Sequence, residues 1–422
     1  MMMMMHRRFS LNRHAGVRIF SVISFGAIFF TYVFVTRTLT SNLSIIHPQN
    51  QTFSIQHVKL TSYSILKTST EITQQTHVFQ EDHHHDDIVK PPNHIAKETM
   101  IINEKPILEF DILKSTTLTR RFKKRAHQFF KDGCQVRFFM IWISSSMRVF
   151  GDREFIAVDS LFKSNPNICL MILSNTMDSR YGLQILKPLT DRGFKVQAIT
   201  PDLDFLFKNT PAQSWLDQVK KGKTNPGKIP LAQNLSNIIR LAILYKYGGV
   251  YIDTDFVILK DFSGLRNSIG AQSASLSGNW TRLNNAVLIF DKKHLLLYKF
   301  MDEFASTFDG NKWGYNGPYL VSRVVEREAA KRELINFTVL HQKVFYPVDW
   351  TRVGGFFAAP VSLVHQRWIE AKVDQLNRWT YGVHLWNKQS SRLRVEEGSI
   401  MARLILDYCV ICNNVKYLHG NS

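Results

Sequence analysis

One segment restricts what this chain can fold into more than any other: residues 234–260, NLSNIIRLAILYKYGGVYIDTDFVILK. Its first half places Leu235, Ile238, Ile239, Ala242 and Tyr245 at helical spacing, so an amphipathic helix is expected there. Gly248-Gly249 ends that helix, because glycine enters the left-handed region without a steric penalty. Val250–Ile252 then reads as a short buried strand that runs straight into Asp253-Thr254-Asp255. A helix, a glycine stop, a buried strand and two carboxylates at its end describe one α/β unit with a polar site at the strand terminus.

Two carboxylates one residue apart are suited to share a hard divalent cation. Mn²⁺ and Mg²⁺ take oxygen ligands and often combine one or two carboxylates with substrate phosphates. A lone D-x-D arises frequently by chance; the apolar strand and glycine stop before this one give it weight. On the preceding helix, Asn237 and Arg240 lie three apart, on a face distinct from Ile238 and Ala242. Two readings of Arg240 stand side by side: a group facing the same cleft as the aspartates, to bind donor-sugar hydroxyls with Asn237, or a structural ion pair.

The surrounding chain alternates strand and helix. Val136–Ile143 is a continuous apolar run, the pattern of a strand buried on both faces. A helix through Phe155, Val158 and Leu161 follows, then strand Cys169–Leu173, helix Gly182–Leu189 and strand Lys195–Thr200. This βαβαβ series predicts a doubly wound parallel sheet with ligands at the carboxyl ends of its strands. Ser144, just after the first strand, is thereby a candidate wall for a nucleotide base. With 422 residues and 45% apolar content, the chain can build one large core or two lobes sharing one.

The N-terminus supplies an address. Ile19–Thr36 carries no charge over 18 positions, which as a helix spans roughly 27 Å. Arg7, Arg8, Arg13 and Arg18 precede it, and no acidic residue occurs before Glu71. The positive-inside rule keeps residues 1–18 cytosolic, makes 19–36 a signal-anchor and sends the rest into a lumen. A cleaved signal peptide is the competing reading; the run is longer than a usual h-region and lacks a clean cleavage site. Its modest length suits early secretory membranes. Sequons at Asn42, Asn50, Asn234, Asn279 and Asn336 accord with lumenal exposure. Residues 37–130 are polar and weakly patterned, and read as a stem; His83-His84-His85 belongs to that solvated stretch.

The net charge of +19 suits a phosphate-rich or acidic partner: nucleic acid, an anionic membrane surface or a nucleotide. Zinc-finger spacing and RNA-recognition signatures are absent, which argues against nucleic acid. The four cysteines, Cys134, Cys169, Cys409 and Cys412, leave three readings open: disulfides of unspecified pairing, buried free thiols, or half a zinc site at Cys409-x-x-Cys412.

NLSNIIRLAILYKYGGVYIDTDF resembles the DXD sugar-binding region of the retaining α1,4-glycosyltransferase family, the group of lactosylceramide 4-α-galactosyltransferase-like and α1,4-N-acetylglucosaminyltransferase-like enzymes. The resemblance continues through SGLRNSIGAQS, NWTRLNNAVLIFDKKH, NKWGYNGPYLVSRVV, YGVHLWNKQS and the terminal CVIC, covering roughly residues 138–412 with wording closest to plant members. It implies a GT-A type, Rossmann-like nucleotide-sugar-binding fold, with residues 131–275 as the sugar-binding region and 276–422 as the C-terminal region of the same catalytic domain. It further implies a UDP-sugar donor, a divalent metal (usually Mn²⁺), retention at the anomeric carbon, a glycan or glycolipid acceptor and a Golgi membrane location. Asp253 and Asp255 match the family's D-x-D, and His384 matches a histidine that commonly completes the metal or diphosphate site. Asn237 and Arg240 stand where relatives place an Asp–Arg donor-sugar pair. Asn284 and Asn285 would face the donor sugar, and Asn316-Gly317 the acceptor. With no carboxylate standing out as a nucleophile, retention by front-face departure and attack is one route.

Two rivals remain. Asp253-Thr254-Asp255-Phe256-Val257 also fits the D-x-D-x-V of haloacid-dehalogenase-type phosphatases, where the first aspartate is a nucleophile. That fold carries its motif on the first strand, whereas about three strands precede this one. The other rival is a catalytically inactive sugar- or nucleotide-binding scaffold; loss of an aspartate would favour it, and both are present.

Overall fold

The computed structural model describes residues 111–143, 149–331 and 335–412. Ser144, the segment 19–36, most of the expected stem, and the sequons Asn42 and Asn50 lie outside the described residues. Among the described residues, no helix is long and apolar enough to cross a membrane.

Strands β1 (Arg137–Ile141), β2 (Cys169–Leu173), β3 (Lys195–Ile199) and β4 (Gly249–Ile252) are parallel neighbours in the order β3-β2-β1-β4. The sheet continues from β4 through β7 (Trp280–Phe290), β6 (Ser268–Ala274) and β8 (Thr338–Leu340). Here the expectation of a doubly wound parallel sheet holds for only half of the sheet. β7 runs antiparallel to both β4 and β6, and β8 is parallel to β6. The reason is local: β6 and β7 are joined by a tight turn closed by Ser275 N–H donating to Asn279 C=O, and a turn that short pairs strands only antiparallel.

The apolar strands are buried on both faces, as their sequence implies. Phe139, Ile141, Met171 and Leu173 enter one core, and Phe138, Met140, Leu170 and Ile172 the other. The first core is closed by α1 (Phe122–Phe130), α4 (Leu231–Tyr247), α5 (Leu295–Thr307) and α6 (Pro318–Ala330); the second by α2 (Asp152–Ser164) and α3 (Arg180–Thr190). A third cluster gathers β5 (Phe256–Ile258), α7 (Leu363–Trp379) and the helix Ile400–Asp407.

The packed region begins before the expected stem boundary at residue 130. Phe122, Ala126, Phe129 and Phe130 are buried against the sheet, because α1 presents its apolar side to β1 and Tyr247. The cysteines form two disulfides, Cys134–Cys169 and Cys409–Cys412, so neither free thiols nor half a zinc site describes them. The second lies beside Asp159 of α2, whose carboxylate accepts the N–H groups of Val410 and Ile411 at 3.1 Å each. Burial pushes that carboxyl up to about 6 despite the two bonds.

Candidate active site

The site grows from the end of α4. Gly248 has φ +66 and accepts the helix terminus, its N–H donating to Leu244 C=O. Gly249 has φ +123, and a β-carbon there would stand 2.3 Å from the carbonyl oxygen of Arg137 on β1. The glycine pair therefore both reverses the chain and lets β4 lie against β1. β4 then ends at Ile252, and Asp253 follows at its carboxyl end with its N–H held by Ala286 C=O.

Asp255 leads into β5, which pairs antiparallel with β9 (Gly382–His384), so that His384 faces Phe256. This ladder gathers Asp253, Asp255 and His384 until one ligand atom from each lies within 4.8 Å of the others. His384 Nε2 is 3.3 Å from Asp255 Oδ1, and His384 Nδ1 is buried without a hydrogen-bond partner. The carboxylate side chains stay 27% (Asp253) and 13% (Asp255) exposed, which leaves them reachable from the cleft.

Each aspartate has its own support. Asp253 Oδ1 accepts from Tyr251 hydroxyl and pairs with Arg240 at 3.1 Å. Asp255 Oδ2 accepts the backbone N–H of Asn387 at 3.0 Å. Burial pushes the Asp253 carboxyl up, and the neighbouring Asp255 charge adds to this against the pull of Arg240. Burial acts on Asp255 in the same sense, but His384 and the Asn387 amide outweigh it and hold that carboxyl below the usual range.

Of its two sequence readings, Arg240 shows the ion pair, made here with Asp253 of the D-x-D itself. Besides Asp253 it donates to Asn285 C=O at 2.8 Å and to Ser236, and its guanidinium lies 4.4 Å over the Tyr251 ring. Asn237 Oδ1 accepts from Asn285 Nδ2 at 3.0 Å, and Gly317 packs closely on the same pair, where a β-carbon would stand 3.0 Å from Asn237 Oδ1. Asn237, Arg240, Asn285 and Gly317 are thus brought together. Asn284 is not: successive strand residues alternate faces, and its side chain bonds Gln272 of β6 instead. Asn316 is buried, donating to Asn234 Oδ1 at 3.0 Å and to Asp309 C=O, so it places its loop and is itself consumed within the protein. The same bond buries the sequon residue Asn234, whereas Asn279 and Asn336 are exposed.

Sequence reasoning missed Tyr251 and Asn387. Tyr251 is two residues from Asp253 and looked like core; Asn387 sits inside YGVHLWNKQS with nothing local to mark it. Trp386, at φ +53, turns the chain so that the Asn387 N–H meets Asp255.

A mixed α/β fold with an acidic cluster at the carboxyl end of a central strand defines a class of sites for cations and phosphate-bearing ligands. Comparison with known proteins narrows the class. Residues 151–276 match the glycosyltransferase sugar-binding region containing the DXD motif, and residues 289–416 match the alpha 1,4-glycosyltransferase conserved region. Lactosylceramide 4-alpha-galactosyltransferase of Pongo pygmaeus is 34% identical over 224 residues, covering 51% of this chain and 94% of that one. The Homo sapiens protein of the same name is 30% identical over 271 residues, covering 60% and 70%. An uncharacterized protein of Arabidopsis thaliana is 30% identical over 295 residues, covering 68% of this chain but only 44% of its own length; for the Mus musculus galactosyltransferase that second share is 55%. Among solved structures, the glycosyltransferase GlyE of Streptococcus pneumoniae aligns at TM-score 0.37 and 11% identity over 68% of this chain and 63% of that one, a likeness on which nothing is built. The chain belongs to the alpha-1,4-glycosyltransferase family.

Proposed function

We propose that this chain transfers a hexose, galactose or N-acetylglucosamine, from a UDP-sugar to a glycan or glycolipid acceptor with retention, using a GT-A type fold. The observation that carries the proposal is the convergence of Asp253, Asp255 and His384 beside Arg240. The donor set fits a hard divalent cation: two carboxylates and one histidine, His384, whose Nδ1 is buried with no protein partner. Asp253, Asp255 and His384 would hold Mn²⁺ or Mg²⁺, which supplies charge neutralisation for a departing diphosphate.

The chain's own groups do the positioning. Tyr251 and Arg240 fix the rotamer of Asp253, and the Asn387 amide fixes Asp255, as outer partners orient ligands in metal sites generally. Asn237 and Asn285 line the wall beside Arg240, where the donor-sugar hydroxyls would be read. Ser144, at the expected base-binding end of β1, completes the donor side of the proposal, and the Asn316-Gly317 loop the acceptor side. The uncharged run 19–36 with its basic amino-terminal flank supports a type II anchor in the Golgi membrane, with the catalytic domain lumenal.

The test is nucleotide release from a panel of UDP- and GDP-sugars, with Mn²⁺ and with EDTA. Release that requires the metal and one UDP-sugar supports the reading and names the donor. Neither release nor metal-dependent UDP binding would refute it.

A further inference from the structure

At the end of β4 away from Asp253, the sheet carries a cavity that sugar transfer does not use. It measures about 440 Å³, and Gly248, Gly249 and Val250 form part of its wall. A β-carbon at Gly248 would stand 2.6 Å from the backbone nitrogen of Lys292, so glycine there lets residues 291–292 close in beside β4. Three cationic residues line the space: Arg137, Arg266 and Lys292. Arg137 is held in place, since its Nη1 donates to Tyr247 C=O at 2.9 Å and its guanidinium lies 5.3 Å from the Phe130 ring centroid. Arg266 is answered by Asp291 at 2.9 Å, which leaves Arg137 and Lys292 as the surplus.

Lys292 also belongs to a wider group of cations. Lys246 and Lys123 both stand over the ring of Phe205, at 4.2 Å and 5.9 Å from its centroid. Burial pushes the Lys246 ammonium down, and Lys123, Lys208 and Lys292 push it the same way, with Asp202 pulling against them. Like charges gathered at one place repel, and an anion arriving among them relieves that repulsion. These groups come from separate elements: Lys123 from α1, Arg137 from β1, Lys246 from α4 and Lys292 from the turn after β7. Their convergence gives the net charge of +19 a location, which composition alone could not.

The geometry points to a binding site for an organic phosphomonoester, its phosphate seated between Arg137 and Lys292 and its carbon body along Val136, Val250 and Leu265. A phosphomonoester carries close to two negative charges at neutral pH, matching the two surplus cations, and a guanidinium takes its oxygens in pairs. A carboxylate would answer only one of the two. The cavity is also large enough for a body bigger than bare phosphate. The same chemistry is offered by a free organic phosphate and by the headgroup of an anionic lipid. The site lies at the other end of β4 from the aspartates and stands whether or not sugar is transferred.

Calorimetry with glycerol phosphate tests this on the full chain in neutral detergent, with EDTA present so that the aspartate cluster holds no metal. The expected dissociation constant is about 1 mM or tighter, weakened about tenfold or more in Lys292→Gln and kept in Lys292→Arg and in Asp255→Asn. Lys292 is exposed, so neither substitution disturbs the core, and unfolding temperatures check that each variant is folded. No binding to the wild type, or equal binding to Lys292→Gln, would overturn the inference. Loss of binding in Asp255→Asn would place the phosphate in the transfer cleft and overturn it as well. Dihexanoyl phosphatidic acid, which presents the same phosphomonoester on a lipid, separates the two sources. Binding about tenfold tighter than glycerol phosphate assigns a membrane headgroup, and equal binding assigns a free organic phosphate.

Discussion

A buried carboxylate cluster and a partly exposed one are built on opposite plans in this molecule. Between α5 and α6, Glu303 is flanked by Arg323 at 3.1 Å and Arg327 at 2.7 Å, and Glu328 by Lys299 at 2.6 Å and Lys331 at 3.4 Å. Burial pushes both carboxyls up, and the surrounding cations more than offset it, so both titrate below their ordinary range. At the end of β4, by contrast, Asp253 and Asp255 share Arg240 and a histidine, Asp253 is pushed up, and His384 Nδ1 has no partner. The first cluster is complete within the chain. The second is offset on one side only: His384 and the Asn387 amide hold Asp255 low, while burial and the Asp255 charge leave Asp253 raised in spite of Arg240. Buried acids that the protein neutralises itself hold helices together; acids left incomplete mark where a cation and its phosphate-bearing partner belong.

The contrast makes predictions, and the strongest strikes the incomplete cluster. Asp253→Ala or Asp255→Ala is expected to cut sugar transfer by about a thousandfold or more while the chain still folds, as circular dichroism reads. Full activity in a folded alanine variant would end the argument for this site. His384→Ala should weaken Mn²⁺ binding by about 10- to 100-fold, read by calorimetry without any substrate present.

The pH dependence carries the same logic. Burial and the Asp255 charge raise the Asp253 carboxyl, and a protonated carboxyl does not bind a cation, so Mn²⁺ affinity should begin to fall at a higher pH than for an ordinary aspartate. Calorimetric titration at descending pH checks this: affinity that holds at full strength down to the ordinary carboxylate range would contradict the raised carboxyl.

The complete cluster should respond in the opposite way. Glu303→Ala leaves Arg323 and Arg327 without their carboxylate, and is expected to cost about 2–4 kcal/mol of stability while Mn²⁺-dependent UDP binding stays intact. Equal damage to binding would erase the distinction between the regions.

The smallest effect concerns Asp159, raised to about 6 by burial. A carboxyl raised on folding contributes stability below its unfolded value near 4 and loses it as pH rises through about 6. Asp159→Asn does not titrate, so its unfolding temperature relative to wild type should shift upward by a few degrees between pH 4 and pH 7.

Much of this was readable from local pattern. The helix–glycine–strand passage into Asp253 is a matter of period and of two residues that tolerate positive φ, and the alternating strands announced their double burial. The covalent spacing of Asp253 and Asp255 placed two carboxylates together whatever the rest of the chain did. The antiparallel half of the sheet was not readable in the same way, because a strand's apolar run does not encode the direction of its neighbour. Asn284 and Asn285 are adjacent letters that the strand sends to opposite faces, and only the pairing of β7 decides which side chain meets Asn237.

Tertiary structure alone decided the third member of the site. His384 reaches Asp255 because β9 pairs with β5, and the same pairing brings the Asn387 amide to a carboxylate 132 positions earlier in the chain. Contacts at that separation come from packing: β5 and β9 find each other through Val257, Val383 and Leu385 in the third apolar cluster. The sequence by itself determined that two acids would stand at the end of a buried strand. Whether they would be neutralised by their own chain or left to hold something else depended on which side chains the folded core brought beside them.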